Sequence, residues 1–281
     1  MPDSPKPSSH IQRWVTGILV GLPVLVCITA GPPWSWYLIV SLATALGITE
    51  LQGLLFQAPL SGKWRIFSFV AGLLLPLGTY LWGINGLNFT LFISFFAALS
   101  LMMFSSPLDR DEIGRVALLL FAWLYLPYFL SFVLLVGAAP QGRYWILFVL
   151  VVTVAGDAGA YHIGSRIGRH KLYQIVSPKK TIEGAVAGLF SSAAAGTALG
   201  LVLLKNVPLA TLLFFGLTVA VTGQIGDLIE SMLKRNADKK DSSALLPGHG
   251  GILDRLDSLI FSFPVMWALL QLSAQDKYIG S

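Results

Sequence analysis

The sequence has 281 residues, of which 55% are hydrophobic and 12% charged, and its mean hydropathy is +0.72. A water-soluble globule of this size cannot bury so much apolar surface, which excludes a soluble domain and favours a polytopic membrane protein. The formal net charge of +5 is compatible with nucleic-acid binding. The basic residues nevertheless follow membrane topology, so we expect no nucleic-acid partner.

The apolar segments predict an all-α fold. A helix needs roughly 20 apolar residues to cross a hydrocarbon core of about 30 Å, and it satisfies its own backbone hydrogen bonds in lipid. We expect about nine such helices, at 14–30, 34–56, 66–84, 87–105, 116–137, 144–165, 182–204, 208–226 and 256–273. The sequence predicts three regions. These are a polar, disordered tail at residues 1–13, an N-terminal group of transmembrane helices at residues 14–140, and a C-terminal catalytic region at residues 141–281.

The distribution of basic residues predicts the topology. If the N-terminus is cytoplasmic, sixteen of the 19 Lys and Arg fall in cytoplasmic segments, and only Arg143, Lys205 and Lys277 fall on the opposite side. Cytoplasmic loops carry such an excess of basic residues. We therefore place the polar loop 231–257, around which the chain is organised, in the cytoplasm.

Two isolated residues stand out in the N-terminal helices. Cys27 is the only cysteine, so no intrachain disulfide can form and we expect it to serve packing. Glu50 is an acid within an apolar helix, and such a residue indicates function by default because its charge is costly in lipid. It lies near the cytoplasmic end of its helix, where it can bond to a neighbour, so we favour a structural role.

A first polar cluster begins in predicted helix six. Asp157, Tyr161 and Gly164 are spaced i, i+4 and i+7 and therefore share one helix face. That face leads to the basic residues 166–171, then to the segment 177–181 (SPKKT) and Glu183-Gly184. Pro178 disfavours helix at the residue before it, which predicts a bend at the two lysines. Alternatively, this loop merely anchors the helices to phospholipid headgroups.

A second cluster lies at the cytoplasmic end of predicted helix eight. Asp227, Glu230, Ser231 and Lys234 repeat at i, i+3, i+4 and i+7, which aligns two acids, a hydroxyl and a base. Acids and bases at this spacing also form simple surface pairs. The preceding sequence Gly223-Gln224-Ile225-Gly226 favours a buried arrangement instead, because glycines allow close approach of helices.

The third cluster combines a glycine turn with acids. Gly250 and Gly251 precede predicted helix nine, whose exposed N–H groups and dipole favour an anion. Asp254 and Asp257 follow in its first turn, where one of them can simply cap the helix. Two acids beside a phosphate-binding turn are also suited to sharing Mg²⁺ with the phosphate, since Mg²⁺ is usually held by one or two protein carboxylates.

Together these clusters favour phosphoryl or nucleotidyl transfer at the cytoplasmic membrane surface. The sequence lacks a GxxxxGK[ST] motif, a Ser-His-Asp order and Cys/His zinc spacing. A phosphate-transfer site needs acids for the metal and bases for the phosphates, and both are present.

The segment 231–257 resembles the signature of the phosphatidate cytidylyltransferase family. The matching positions are Ser231, Lys234-Arg235, Lys240-Asp241, Ser243, Leu246-Pro247, His249-Gly250-Gly251, Asp254-Arg255 and Asp257. The features at 157–161, 177–184 and 223–227 also look like those of the family. Residues 1–140 resemble it only in hydropathy.

The resemblance implies that CTP and phosphatidate react to give CDP-diacylglycerol and pyrophosphate, with Mg²⁺ and a second metal ion, K⁺. It implies a homodimeric enzyme in the bacterial inner membrane, surrounded by membrane lipids. Asp227 and Asp254 would be metal ligands. Catalytic residues would be Lys234, Arg235, Lys240, Asp241, His249, Arg255 and Asp257. Substrate-binding residues would be Asp157, Tyr161, Ser177, Lys179, Lys180, Thr181, Glu183, Ser231, Gly250 and Gly251.

Two other functions are compatible with the sequence. A CTP-dependent lipid kinase, such as a polyprenol kinase, also joins a metal-triphosphate site to a lipid substrate. An ion-coupled transporter also carries polar residues on membrane helices, but its acids should lie near the bilayer midplane. Here the acids lie at predicted helix ends.

Overall fold

A computed structural model describes residues 9–104, 111–246, 248 and 250–279, with side chains from residue 16 to residue 274 of those ranges. The helices are α1 (Ser9–Ala30), α2 (Pro33–Leu55), α3 (Gly62–Met103), α4 (Asp111–Trp123), α5 (Phe132–Ala138), α6 (Gly142–Ile167), α7 (Ile182–Leu203), α8 (Leu209–Asn236) and α9 (Leu253–Ile279). Strands β1 (Lys171–Tyr173) and β2 (Ser177–Thr181) separate α6 from α7.

The helices are those of a polytopic membrane protein. In the described ranges, seven helical segments are long and apolar enough to cross a membrane. Large apolar side chains such as Phe92 and Phe96 remain exposed on their outer faces, where lipid covers them. The predicted all-α membrane fold is confirmed. The number of nine crossings stays a prediction.

Helix α3 folds back on itself. Its 42 residues would measure about 63 Å if straight, twice the hydrocarbon thickness. The backbone breaks at Gly83, whose φ of 61° and ψ of −143° are far from helical. Beyond the break the arms touch, since a Cβ at Gly78 would lie 2.5 Å from Thr90 Cγ2. The predicted segments 66–84 and 87–105 correspond to the two arms.

A π-helical turn joins α4 and α5 into one apolar segment, Asp111–Ala138. It spans Leu124–Tyr128 and contains Pro127, which lacks the N–H that an α-helix would use. Ser131 donates both its N–H and its hydroxyl to the Pro127 carbonyl, at 3.1 and 2.6 Å. These bonds keep the segment continuous, as the prediction of one helix at 116–137 requires.

Small residues let the C-terminal helices pack closely. A Cβ at Gly188 of α7 would lie 2.9 Å from the Gly156 carbonyl oxygen of α6.

Helix α2 contributes Ile48 and Leu51 to the core, both completely buried. The end of α2 thereby comes to lie against the polar loop that precedes α9. The predicted division at residue 140 falls in the short loop between α5 and α6 and stays a prediction.

Helix α8 continues past the apolar segment 208–226 to Asn236, as the helical spacing of its polar stripe predicted, and Lys234 and Arg235 suit the C-terminal end of the helix dipole. Two local expectations were wrong. Residues 177–181 form a strand paired with β1 instead of a bend. The backbone of residues 9–13 is helical and not a disordered tail, and residues 1–8 lie outside the described ranges.

Candidate active site

The site forms where α8 and α9 touch. A Cβ at Gly226 would lie 2.6 Å from the Asp257 carbonyl oxygen, and one at Gly223 would lie 3.2 Å from Ser262 Oγ. Such an approach requires residues without side chains. It places the polar stripe of α8 directly against the first turns of α9.

Lys234 joins the two helices electrostatically. Its ammonium group forms an ion pair with Glu230 one turn earlier on α8 and donates to Asp254 Oδ1 of α9 at 2.6 Å. Glu230 is completely buried, and Lys234 nearly so. A buried charge is costly without a partner, so removal of Lys234 would leave buried acids unpaired and destabilise this contact. The predicted stripe of α8 is therefore an interhelical cluster and not a surface pair.

Asp254 is held at both oxygens. Oδ1 accepts from Lys234, while Oδ2 accepts from the Ser242 N–H, the Ser242 hydroxyl and the Gly251 N–H, at 2.8 to 2.9 Å. Hydrogen bonds to an ionised carboxylate are stronger than neutral ones. The carboxylate is thus fixed in one orientation, with one oxygen directed at a cation.

Asp227 forms an ion pair with Lys180, the second lysine of β2. Successive side chains of a strand point to opposite faces, so Lys179 points away and is exposed. The hairpin, which the sequence did not predict, is what carries Lys180 to α8. The structure therefore separates the two predicted lysines.

Thr181 and Glu183 have partners inside their own loop. Thr181 caps α7 by accepting from the Gly184 N–H at 3.2 Å. Glu183 accepts from the N–H groups of Arg169 and His170 and contacts the His170 ring nitrogen at 2.6 Å. Both side chains fix the position of the hairpin on α7, and their predicted contacts with substrate stay predictions.

Arg235 connects the hairpin to residues 237–252, the part of the polar loop that lies between α8 and α9. Its Nε donates to the Val176 carbonyl at 3.3 Å and its Nη1 to the Lys239 carbonyl at 2.8 Å. Lys239 in turn donates to the Gly53 carbonyl at the end of α2. The loop is therefore held from α8, from the hairpin and from α2.

Asp157 lines a small cleft between α6, α7, α8 and α9. The cleft is also lined by Thr153, Gly156, Ser192, Ala220, Gly223, Gln224 and Ser258. Most of these residues are small, and the cleft of about 10 Å³ has room for a single water molecule. Gln224 donates to the Ala185 carbonyl at 3.0 Å and so joins α8 to α7.

The remaining predicted residues lie around this centre. Lys240, Asp241 and Arg255 are exposed, Ser177 and Ser231 are half-buried, and Tyr161 is 72% exposed. The Asp257 carboxylate accepts from the Ser258 N–H at 2.6 Å. His249 lies outside the described residues.

The glycine turn before α9 uses backbone geometry that favours glycine. Gly248 and Gly250 have positive φ values of 77° and 80°, and the Leu246 N–H donates to the Gly250 carbonyl at 2.8 Å. Gly251 is needed for a different reason, because a Cβ there would lie 2.4 Å from Glu50 Oε2. The turn is therefore closed around a carboxylate from α2.

Sequence reasoning left three contributors out of the site. Glu50 was assigned a structural role, Glu230 was noted in the stripe without a function, and Ser242 was not considered. The sequence did point to the two acids as candidates for function, since each is an ionisable residue within an apolar helix. It did not point to Ser242, because only the fold brings this serine between Glu50 and Asp254.

The predicted Mg²⁺ site stays a prediction, and the chemistry of its two acids is compatible with Mg²⁺ bound together with phosphate. Within the described ranges, no group of three or more His, Cys, Asp and Glu residues could hold a metal ion. Asp227 and Asp254 nevertheless offer one carboxylate each, and each already accepts from an ammonium group. Mg²⁺ commonly takes only one or two protein carboxylates and completes its shell with phosphate and water.

The chain is similar to known cytidylyltransferases along most of its length. The model of the Cytidylyltransferase family matches residues 11–273. The phosphatidate cytidylyltransferase of Bacillus subtilis (strain 168) is 34% identical over 271 residues, which cover 93% of this chain and 97% of that protein. Phosphatidate cytidylyltransferases of Staphylococcus saprophyticus and Staphylococcus aureus (strain COL) are 41% and 40% identical over 141 residues, about half of each protein.

Proposed function

The chain belongs to the cytidylyltransferase family, and from this we infer that it transfers cytidylate from CTP to phosphatidate, giving CDP-diacylglycerol and pyrophosphate. An oxygen of the phosphatidate phosphate attacks the α-phosphorus of CTP, and the bond to the β-phosphate oxygen breaks. The nucleophile needs no general base, because the second pKa of a phosphate monoester is about 6 and it is largely ionised near neutral pH.

The observation that carries this proposal is the pairing of Asp227 with Lys180 and of Asp254 with Lys234. The reaction brings two polyanions together, so neutralisation of charge should dominate catalysis. A site built from two acids that each hold a cation, at the end of membrane helices, meets that requirement. The same two acids are the residues that the signature resemblance implies as metal ligands.

We propose Asp227 and Asp254 as the residues that hold Mg²⁺, with K⁺ as a second ion. When bound, Mg²⁺ supplies positive charge to the phosphates of CTP and orients them for displacement. The bonds from Ser242 and Gly251 keep the Asp254 carboxylate in place for this purpose.

The lysines are the second part of the proposed charge system. Lys180 and Lys234 balance the acids in the described structure, and we expect the half-buried Lys180 to contact substrate phosphates while Lys234 stays between Glu230 and Asp254. Phosphates and lysine ammonium groups form charge-assisted hydrogen bonds. The exposed Arg255 and Lys240 lie at the rim, where we expect them to attract the incoming nucleotide.

We place the loop 231–257 on the cytoplasmic side of a bacterial inner membrane, because basic residues concentrate on that side and the relatives named above are bacterial. A homodimer remains our expectation from the family resemblance.

Pyrophosphate release tests the reaction directly. Purified full-length protein in neutral detergent should release pyrophosphate only when phosphatidate, CTP and Mg²⁺ are all present. A lipid kinase would form CDP without pyrophosphate, and an ion-coupled transporter would turn over neither substrate. Release of pyrophosphate without phosphatidate, or none in the complete mixture, would contradict the proposal.

A further inference from the structure

Glu50 is a buried acid that the proposed reaction does not yet use. It is the only charged residue of α2, it is 8% exposed, and in the described part of the chain it has no basic partner within ion-pair distance. A buried carboxylate without a cation needs several hydrogen-bond donors to offset its lost hydration. The donors that surround Glu50 indicate its role.

All four donors come from the polar loop and the start of α9. Oε1 accepts from the Ser243 hydroxyl at 2.6 Å and the Ile252 N–H at 3.0 Å. Oε2 accepts from the Ser242 hydroxyl at 2.9 Å and the Leu253 N–H at 2.9 Å. The first N–H groups of a helix have no partner within the helix, so Glu50 caps α9 from a distant part of the chain.

The same carboxylate contacts the backbone of Gly251, whose added Cβ would meet it at 2.4 Å. A side chain at 251 would displace either the turn or Glu50. The close fit means that the position of Glu50 determines the path of the chain from Gly251 into α9.

Ser242 connects Glu50 to Asp254. Its hydroxyl oxygen lies 2.9 Å from Glu50 Oε2 and 2.9 Å from Asp254 Oδ2. A hydroxyl group has a single hydrogen and donates it to one of these oxygens at a time. The two acids therefore share one donor, and the orientation of Asp254 depends on where Glu50 holds the serine.

We propose that Glu50 is a positioning residue: it fixes the glycine turn and the first turn of α9 so that Asp254 presents Oδ1 to a cation. This inference rests on the proposed function, because it assigns Asp254 to Mg²⁺. Residues that orient a metal ligand commonly change metal affinity or activity by 10- to 100-fold when they are altered.

Two measurements on full-length protein in detergent test this role. The first is hydrogen–deuterium exchange over residues 242–253. Glu50→Gln keeps the shape but replaces one accepting oxygen with a donor, so exchange there should accelerate by about tenfold, as expected for lost capping bonds. The second is binding of Mn²⁺ as a substitute for Mg²⁺, followed by electron paramagnetic resonance, which should weaken by about tenfold or more.

Glu112→Gln is the matched control. Glu112 is also 8% exposed and lies in the N-terminal half, but its partner is Arg115 of its own helix. It should leave both exchange at 242–253 and Mn²⁺ affinity at parent values. Glu50→Asp restores a carboxylate one methylene shorter and should recover part of the loss.

Parent-like exchange and Mn²⁺ affinity in Glu50→Gln would overturn the proposal. If that variant does not fold, Glu50→Asp replaces it: Mn²⁺ binding weaker than in the parent would support the proposal, and unchanged binding would overturn it. A parent protein that forms no lipid product would refute the proposed function while the exchange measurement still decided the role of Glu50.

Discussion

Lys180 of strand β2 forms an ion pair with Asp227 of α8, although 47 positions separate the two residues in the chain. The neighbouring lysine, Lys179, is exposed on the other face of the strand. Two adjacent lysines thus occupy different environments, and only one of them touches a proposed metal ligand.

This difference predicts unequal effects of removing the two lysines. Lys180→Ala should lower turnover by about 10²-fold or more, as loss of a preorganised charge typically does. Lys179→Ala should lose less than about threefold, because the attraction of about 1 kcal/mol per lysine to an anionic bilayer is absent from neutral micelles. Both variants are assayed in neutral micelles containing phosphatidate. Parent-like turnover of Lys180→Ala, or an equal loss in both variants, would contradict this separate role of Lys180.

The two proposed metal ligands should be essential while a nearby acid is not. Asp227→Asn and Asp254→Asn should each lower turnover by about 10²-fold or more at ordinary Mg²⁺ concentrations. Asp238→Asn is the control, because Asp238 is an exposed loop acid at φ 54°, a backbone geometry that Asn also tolerates. Thermal unfolding in detergent confirms that the variants are folded. Near-parent activity of either of the first two variants would remove that residue from the metal site.

The contact of α8 with α9 at Gly226 should not tolerate a methyl group. Gly226→Ala would place a Cβ 2.6 Å from the Asp257 carbonyl and should destabilise the protein by about 1–3 kcal/mol, with loss of activity. Gly114→Ala provides the control, since nothing lies within 4 Å of that position. It should raise stability by about 0.5–1 kcal/mol, because alanine is the better helix former. Equal midpoints of thermal unfolding for the two variants would argue against the close contact.

The orientation of the loop can be tested with a single cysteine. Ser242 is unsuitable because it is buried and bonded to Glu50, whereas Ala244 is exposed. In a Cys27→Ala background, Ala244→Cys should react with an impermeant maleimide in inverted vesicles and not in intact cells. Reaction in intact cells would place the loop on the opposite side of the membrane.

The fold was predictable where hydropathy alone determines it. The apolar segments predicted the helices to within a few residues at most ends, and the break at Gly83 falls one residue before the end of the predicted segment 66–84. Hydropathy alone ended helix eight at residue 226, and only the helical spacing of the polar side chains predicted its last turns to Asn236. The hairpin was missed because five residues with two lysines carry no alternating apolar pattern.

The site was predictable to the extent that its residues lie close in sequence. The spacing of Asp227, Glu230 and Lys234 predicted one face, and the structure confirms that Glu230 and Lys234 share it. What the sequence could not supply are the pairings across the fold, such as Lys180 with Asp227 and Glu50 with Ser242. These depend on tertiary packing of α2 and the hairpin against α8 and α9.

Following two labels from one CTP molecule tests the central claim most directly. Purified protein is incubated with phosphatidate, Mg²⁺ and CTP labelled in both the cytosine ring and the α-phosphate, and the extracted lipid is counted. A cytidylyltransferase should bring both labels into lipid in equal amounts, together with one pyrophosphate per lipid product. A lipid that carries neither label but acquires the γ-phosphate in a parallel reaction would contradict this account.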